Sequence, residues 1–210
     1  MDLGLGNLQS VVWAFERSGA AARLSCGEGL DEAAGVVLPG VGHFSAAAER
    51  IAQLDLARRL RGLVRQVPLL GICLGMQLLF ERSEEGGEGL ALLQGDVVRL
   101  AAPGLPLPHT GWNDVETVPG GFLHGIGDGE AYFVHQYAAR PRQLGTVAAW
   151  TPYGERFASA VAEGRICGVQ FHPERSGAYG RKVLLRFLEE VAQCSRSSRQ
   201  SISREGTSCA

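Results

Sequence analysis

The chain has 210 residues, of which 45% are hydrophobic, which is enough for one substantial core and predicts a single main domain. A formal net charge of −2 excludes an electrostatic basis for binding nucleic acid or an anionic membrane. The five cysteines are an odd number without disulfide or zinc-ligand spacing, so we expect a reducing compartment and no structural metal. The first residues show no signal-peptide pattern, and the apolar segment at 67–80 is too short to span a bilayer. The sequence therefore predicts a cytoplasmic protein.

The first 80 residues alternate between helical and strand patterns. Leu8, Val11, Val12 and Phe15 recur at helical spacing and predict a helix over residues 8–18. A short strand is expected at 22–26, a buried strand at 35–38, and one long or two short helices over 44–64. This alternation predicts an α/β fold with a doubly wound, flavodoxin-like mixed sheet and helices on both faces.

The second half of the chain is dominated by short strand patterns. Residues 156–162 and 165–171 are separated by Glu163-Gly164, which predicts an antiparallel hairpin. An amphipathic helix is expected around residues 183–191. The segment from 193 to 210 has almost no apolar residues and is predicted to be a disordered tail, which leaves 1–192 as the folded domain.

The turn Gly4-Leu5-Gly6-Asn7 and its following helix have the form of a first βα unit. Such a turn is normally fed by a strand of ~5–6 residues. Three residues precede it in this sequence. We therefore expect about five apolar-rich residues upstream of Met1, because an interior strand typically has about this length.

A candidate nucleophile lies at residue 73. An apolar run from 67 to 72 predicts a buried strand, and the turn Gly71-Ile72-Cys73-Leu74-Gly75 leads into a helical pattern. A strand, a tight turn and a helix with a nucleophile at the turn form a nucleophile elbow, which here carries cysteine. A buried structural cysteine is the alternative interpretation of this residue alone.

The base that such a thiolate requires is predicted at His172, at the end of the strand 166–171. The carboxyl ends of strands in an α/β sheet meet at the ligand crevice, where the elbow also lies. Pro173 is expected to hold His172 and Glu174 in extended geometry, so that Glu174 can orient the imidazole ring. The backbone N–H of Leu74, and one from the turn Pro39-Gly40-Val41-Gly42, are candidate oxyanion donors.

Three separated motifs, GICLGMQ, LPGVG and QFHPE, resemble those of the class I (triad-type) glutamine amidotransferases. Four further motifs, GNLQSV, PHTGWNDV, YFVHQY and HPERSG, resemble the glutaminase subunits of imidazole glycerol phosphate synthases. The usual patterns of that family are PHMGWN, VHSY and HPEKS, from which this chain departs at Thr110, Gln136 and Arg175.

The resemblance implies hydrolysis of L-glutamine by a catalytic triad of Cys73, His172 and Glu174, with Leu74 and Val41 at the oxyanion hole. It implies no metal and no organic cofactor. The implied partner is a cyclase subunit with a (β/α)₈ barrel, which receives the ammonia within a heterodimer. The residues implied to contact glutamine are Gly40, Gly42, Gln77, Glu85 and Tyr137, and those implied at the partner interface are Asn7, Trp112 and Arg175.

Two other functions remain open at this point. The first is a glutaminase that serves a different synthase. The second is a non-catalytic interaction protein or a redox-sensing protein with an elbow cysteine. The motifs around Trp112 and His135 favour the imidazole glycerol phosphate synthase subunit over the first. The His172–Glu174 pair disfavours the second, because it supplies the base that catalysis needs.

Overall fold

The computed structural model of the protein describes residues 1–4 and 8–205, with side chains described as far as residue 197. Its helices are α1 (Gln9–Arg17), α2 (Phe44–Gln53), α3 (Leu56–Leu63), α4 (Leu74–Gln77) and α5 (Gly177–Glu205). Its strands are β1 (Val36–Gly40), β2 (Leu69–Cys73), β3 (Arg82–Ser83), β4 (Gly95–Arg99), β5 (His109–Thr117), β6 (Gly129–His135), β7 (Tyr137–Pro141), β8 (Val147–Tyr153), β9 (Glu155–Glu163) and β10 (Ile166–Val169).

The main sheet is mixed. Within the described residues its strand order is β1-β2-β10-β9-β8-β5-β6. The first three strands run parallel to one another, whereas the ladders from β10 through β9, β8 and β5 to β6 are antiparallel. A smaller sheet has the order β3-β4-β7. The predicted α/β fold with a mixed sheet is confirmed, as is the hairpin that β9 and β10 form.

Strand β2 is the centre of the parallel part, and all five of its residues are buried. It pairs with β1 on one side and with β10 on the other. Leu69 packs in a core cluster with side chains of α2 and α3, while Leu70 and Ile72 pack in a second cluster with side chains of α1 and α5. Helices therefore cover both faces, which is why this strand is apolar without alternation.

Two local expectations are wrong or need adjustment, and one open alternative is decided. Residues 22–26 are not a strand; residues 22–25 border a groove of about 600 Å³ beside β1, which is also lined by side chains of α1 and α5. Of the two alternatives for 44–64, the structure has two short helices, with Asp55 in the left-handed region between them. The helix after the elbow, α4, has only four residues, so Leu78 and Leu79, which fit the helical spacing, lie beyond its end.

Helix α5 is longer than the pattern predicts. It continues through Glu205, whereas the sequence predicts a disordered tail from residue 193. Residues 206–210 lie outside the described part of the chain, and the domain boundary at 192 stays a prediction.

The close approach of α4 to the sheet predicts that Gly75 does not tolerate a side chain. A Cβ added at Gly75 would overlap the carbonyl oxygen of Leu38 in β1, which is backbone and cannot rotate away. We expect Gly75→Ala to lower the free energy of unfolding by about 3 kcal/mol, measured by urea denaturation. Gly62→Ala is the control, because α3 leaves open space there; it should raise the free energy of unfolding by about 0.5–1 kcal/mol. Equal stabilities of the two variants would contradict this packing argument.

Candidate active site

Cys73 lies at a strained turn between β2 and α4. Its backbone has φ 53° and ψ −111°, and it is one of three non-glycine residues with positive φ in the described chain. Strain of this kind costs ~1–3 kcal/mol and persists only where the surrounding structure enforces it. The glycines on either side allow the close packing that enforces it, because a Cβ on Gly71 would lie 2.6 Å from the carbonyl oxygen of Gly75. The predicted nucleophile elbow is therefore present in the geometry of the chain.

His172 and Glu174 form a buried pair next to this turn. The ring nitrogen Nδ1 of His172 lies 2.8 Å from Oε1 of Glu174, and the two side chains are 5% and 6% exposed. The sequence predicts that Glu174 reaches the ring through extended geometry, and this prediction is wrong. Residues Pro173–Arg175 form a 3₁₀ turn, and this turn folds the carboxylate back onto the ring.

The environment of His172 favours its protonated form. Burial lowers the pKa of His172, but its interactions with Cys73 and Glu174 outweigh burial, and the net effect is a raised pKa. Nε2 of His172 is buried and makes no hydrogen bond of ordinary geometry to another described residue. An imidazolium between a thiolate and a carboxylate is the arrangement that activates a cysteine and supplies a proton to a leaving group.

The turn after β1 lies beside the elbow. Gly40 is the ladder partner of Cys73, and a Cβ on Gly40 would lie 3.2 Å from Cβ of Leu74. Val41 follows and is 41% exposed, and Gly42 has φ 104°. The structure thus brings the two expected oxyanion-hole segments together.

Glu85 supports this turn from outside the sheet. Its carboxylate accepts a hydrogen bond from the backbone N–H of Phe44 at the start of α2, and its Oε1 lies 2.8 Å from Nδ1 of His43. Both of its oxygens therefore have protein partners. The expected contact of Glu85 with glutamine stays a prediction.

Gln77 is buried close to Cys73 in the chain, and its side chain also hydrogen-bonds to other groups of the protein. Its amide nitrogen donates to the carbonyl oxygen of Tyr137 at 2.8 Å and to Oε1 of Gln170 at 3.0 Å. Nε2 of Gln170 in turn lies 3.6 Å from the sulfur of Cys73. Gln170 was not predicted as a site residue from the sequence, although it stands two positions before His172 in the motif QFHPE.

Comparison with known proteins agrees with this geometry. Residues 9–191 match the family model of class-I glutamine amidotransferases. The chain belongs to the class-I glutamine amidotransferase family. It is 47% identical over 197 residues to the imidazole glycerol phosphate synthase subunit HisH of Moorella thermoacetica, covering 91% of this chain and 93% of that protein. It is 48% identical to the subunit of the same name from Xylella fastidiosa strain 9a5c, covering 90% of this chain and 95% of that protein.

Solved structures share the amidotransferase fold at lower identity. One described as a glutamine amidotransferase superposes with a TM-score of 0.72 at 22% identity, covering 90% of this chain and 95% of the other. The glutaminase domain of Trypanosoma brucei CTPS has a TM-score of 0.56 at 17% identity, covering 89% of this chain and 88% of the other. At these identities the likeness establishes the fold alone.

Two of the residues expected at the partner interface of this amidotransferase lie in one surface cluster. Trp112 is 57% exposed and meets the ring of Tyr132 edge-on at 6.4 Å, and the guanidinium carbon of Arg175 lies 4.2 Å from the centre of the Tyr132 ring. We refer to these three residues as the Trp112–Tyr132–Arg175 cluster. Tyr132 was not predicted from the sequence. Asn7, the third expected interface residue, lies outside the described residues.

In the described part of this amidotransferase, no cluster of three or more histidine, cysteine or carboxylate side chains has the geometry to hold a metal ion. None of the helices described there is long and apolar enough to cross a membrane.

The His172–Glu174 pair predicts the direction in which a charge-neutral substitution moves a titration. Glu174→Gln keeps an acceptor oxygen but removes a negative charge that raises the pKa of His172. We expect the titration midpoint of His172, followed by NMR with ¹³C-labelled histidine, to fall by about one to two pH units. The imidazolium should therefore lose its proton at lower pH than in the wild type.

His172→Gln identifies the resonance of His172 by its loss. Glu155→Gln is a control that removes a carboxylate bound to Arg140 and should leave the His172 midpoint in place. An unchanged or higher midpoint in Glu174→Gln would contradict the assigned role of this carboxylate.

Proposed function

We propose that this protein is the glutaminase subunit of an imidazole glycerol phosphate synthase in histidine biosynthesis. The observation that carries the proposal is the buried pair of His172 and Glu174, 2.8 Å apart, beside a strained cysteine at the end of β2. The names of the curated relatives, at 47% and 48% identity, support the choice of synthase.

In the proposed reaction the thiolate of Cys73 attacks the side-chain amide carbon of L-glutamine. The backbone N–H groups of Leu74 and Val41 stabilise the resulting oxyanion, because donors aimed at the developing charge lower the barrier most. The imidazolium of His172 gives its proton to the departing ammonia, which leaves a thioester on Cys73. Gly40, Gly42, Gln77, Glu85 and Tyr137 are the proposed glutamine-binding residues.

In the second half of the reaction, neutral His172 takes a proton from water, and the resulting hydroxide attacks the thioester carbon. The thiolate leaves and glutamate is released, so that His172 is again protonated. Glu174 holds the ring and stabilises its charge in both halves without itself accepting the proton. All of these steps use groups of the protein and water.

The proposed partner is a cyclase subunit with a (β/α)₈ barrel, which receives the ammonia in a cytoplasmic heterodimer. The Trp112–Tyr132–Arg175 cluster supports a protein-binding role, because exposed aromatic and arginine side chains are enriched at interface hot spots. A glutaminase that serves another synthase would fail to complement a histidine auxotroph lacking this subunit. A non-catalytic protein would release no glutamate from glutamine.

The nucleophile assignment predicts loss of activity with retention of the fold. We expect Cys73→Ser to abolish release of glutamate from glutamine in the complex with the cyclase, because the hydroxyl is a far weaker nucleophile than the thiolate. Glu174→Gln should lose less activity, because Glu174 orients the base rather than reacting. Cys26→Ser, at an exposed cysteine, is the control and should keep wild-type turnover. Retained glutaminase activity in Cys73→Ser would refute the proposed nucleophile.

The interface assignment predicts weaker association without a loss of stability. Trp112→Ala and Arg175→Ala should each weaken binding to the cyclase by at least about tenfold, measured by titration calorimetry, with little change in Tm of the isolated subunit. Leu144→Ala and Arg58→Ala are exposed controls on other elements, with 71% of Leu144 and 81% of the Arg58 side chain exposed. A large fall in Tm for Trp112→Ala would instead indicate a structural role for this tryptophan.

A further inference from the structure

The reactive sulfur has a polar neighbour outside the triad. Gln170 is fully buried, and its Nε2 lies 3.6 Å from Sγ of Cys73, within the range of an N–H···S hydrogen bond. On the described elements around Cys73, the titratable groups of the site are His172 with Glu174, and His135 close to His172. Gln170 carries no charge, so it can act on the sulfur only as an oriented donor.

The orientation of the Gln170 amide is forced by a backbone carbonyl. The carbonyl oxygen of Tyr137 can only accept, so the side-chain group of Gln77 that lies 2.8 Å from it must be the NH₂. The second hydrogen of the same NH₂ points to the side chain of Gln170 at 3.0 Å, which must therefore present its oxygen there. The NH₂ of Gln170 is thereby directed at Cys73. A flipped amide would place two donors against each other and an oxygen against the thiolate.

The same carbonyl also contacts a buried histidine, His135, which in turn contacts a second one, His109. Nδ1 of His135 lies 2.9 Å from the Tyr137 oxygen, and its Nε2 lies 3.1 Å from Nδ1 of His109. Burial lowers the pKa of His109 to about 4 and that of His135 to about 3, so both rings are neutral at pH 7. Each ring then has one donor and one acceptor nitrogen, and the contact with the Tyr137 carbonyl fixes which is which.

The network ends at a second backbone carbonyl. The side-chain nitrogen of Asn113 lies 3.2 Å from Nε2 of His109 and donates to the carbonyl oxygen of Pro152 at 2.8 Å, while its oxygen accepts from the N–H of Asp114. Each hydrogen bond along this path from Pro152 to Cys73 therefore has its donor and its acceptor assigned. A buried network that is satisfied in only one arrangement is rigid.

We propose that Gln170 donates a hydrogen bond that stabilises and positions the thiolate of Cys73, and that Gln77 is a positioning residue that holds Gln170 in the donating orientation. The proposal deepens the function proposed above and rests on it for its catalytic meaning. A hydrogen bond to the ionised form of a group favours that form, so loss of the donor shifts formation of the thiolate to higher pH.

The test is the pH profile of Cys73 alkylation by iodoacetamide in the full chain. Trypsin releases residues 66–82 as a peptide whose single cysteine is Cys73, so its alkylation is read by mass spectrometry without removing the other cysteines. In Gln170→Leu we expect the pH of half-maximal alkylation rate to rise by about one pH unit, which is about a tenfold loss of thiolate below the midpoint. In Gln77→Leu we expect a smaller rise in the same direction, because the donor remains but is no longer held.

Gln170→Met separates an oriented donor from simple packing. Methionine has nearly the length of glutamine but no N–H donor, so we expect a rise about as large as in Gln170→Leu. If Gln170 only fills space, Gln170→Met should keep the wild-type profile. That result would overturn the proposal, as would a wild-type profile in Gln170→Leu.

Ser159→Ala is the matched control. Ser159 lies on β9 next to Gln170, is fully buried, and its hydroxyl has no hydrogen-bond partner among the described side chains and backbone groups. It should leave the alkylation profile and the glutaminase activity unchanged. If Gln170→Leu fails to fold, as judged by circular dichroism, Gln170→Met and Gln77→Leu decide the question.

Glutamine hydrolysis by the same proteins distinguishes the two proposals. If the Gln170 and Gln77 variants have shifted alkylation profiles but the wild-type protein releases no glutamate, even with its cyclase, the proposed function is refuted and the role of Gln170 stands. If the wild type hydrolyses glutamine and the variants have unshifted profiles, the role of Gln170 is refuted and the proposed function stands.

Discussion

The strained backbone of Cys73 is the constraint on which the rest of the site depends. A residue with φ 53° at the end of a buried strand is stable only if the chain on both sides is held, and here Gly71 and Gly75 allow contact that no other residue would permit. Because β2 lies between β1 and β10, its carboxyl end meets the turn after one neighbour and His172 after the other. The proposed nucleophile, oxyanion-hole segment and base are thus gathered by strand order rather than by any local motif.

The electrostatic support of the thiolate comes from side chains more than from a helix dipole. Helix α4 has four residues and ends at Gln77, so few aligned peptide dipoles point at the sulfur. The buried His172–Glu174 pair supplies a full positive charge with its counter-ion. The Gln77–Gln170 amides add an oriented dipole that is anchored on the Tyr137 carbonyl. A short helix after the elbow is therefore compatible with an activated cysteine.

The Trp112–Tyr132–Arg175 cluster is joined directly to the backbone of His172, the proposed base. The carbonyl oxygen of Tyr132 accepts from the N–H of His172 at 2.9 Å, and the hydroxyl of Ser176 bridges the N–H of Tyr132 and the carbonyl oxygen of His172. The surface proposed to recognise a partner and the residue proposed to move the proton are thus linked by direct hydrogen bonds.

By itself the sequence determined the elbow turn at Cys73, the mixed α/β sheet and the β9–β10 hairpin, and it singled out the residues of the proposed triad. Each of these is encoded by residues close together in the chain: an apolar run, a glycine-flanked turn, or a strand that ends at a histidine. It did not determine the route by which Glu174 reaches His172, because a 3₁₀ turn and an extended segment both suit the motif HPE. Nor could it determine whether residues 22–26 form a strand, since a strand exists only where a neighbour pairs with it.

Only the tertiary structure decided the partners of Gln77, Gln170, His109 and His135. His109 begins β5 and His135 ends β6, but nothing in the sequence indicates that both are buried and in contact. Gln77 and Gln170 are 93 residues apart in the chain and meet because β2 and β10 are neighbours in the sheet. Periodicity in a sequence records which face of an element is apolar, whereas the direction of a buried amide is set by acceptors that arrive from distant strands.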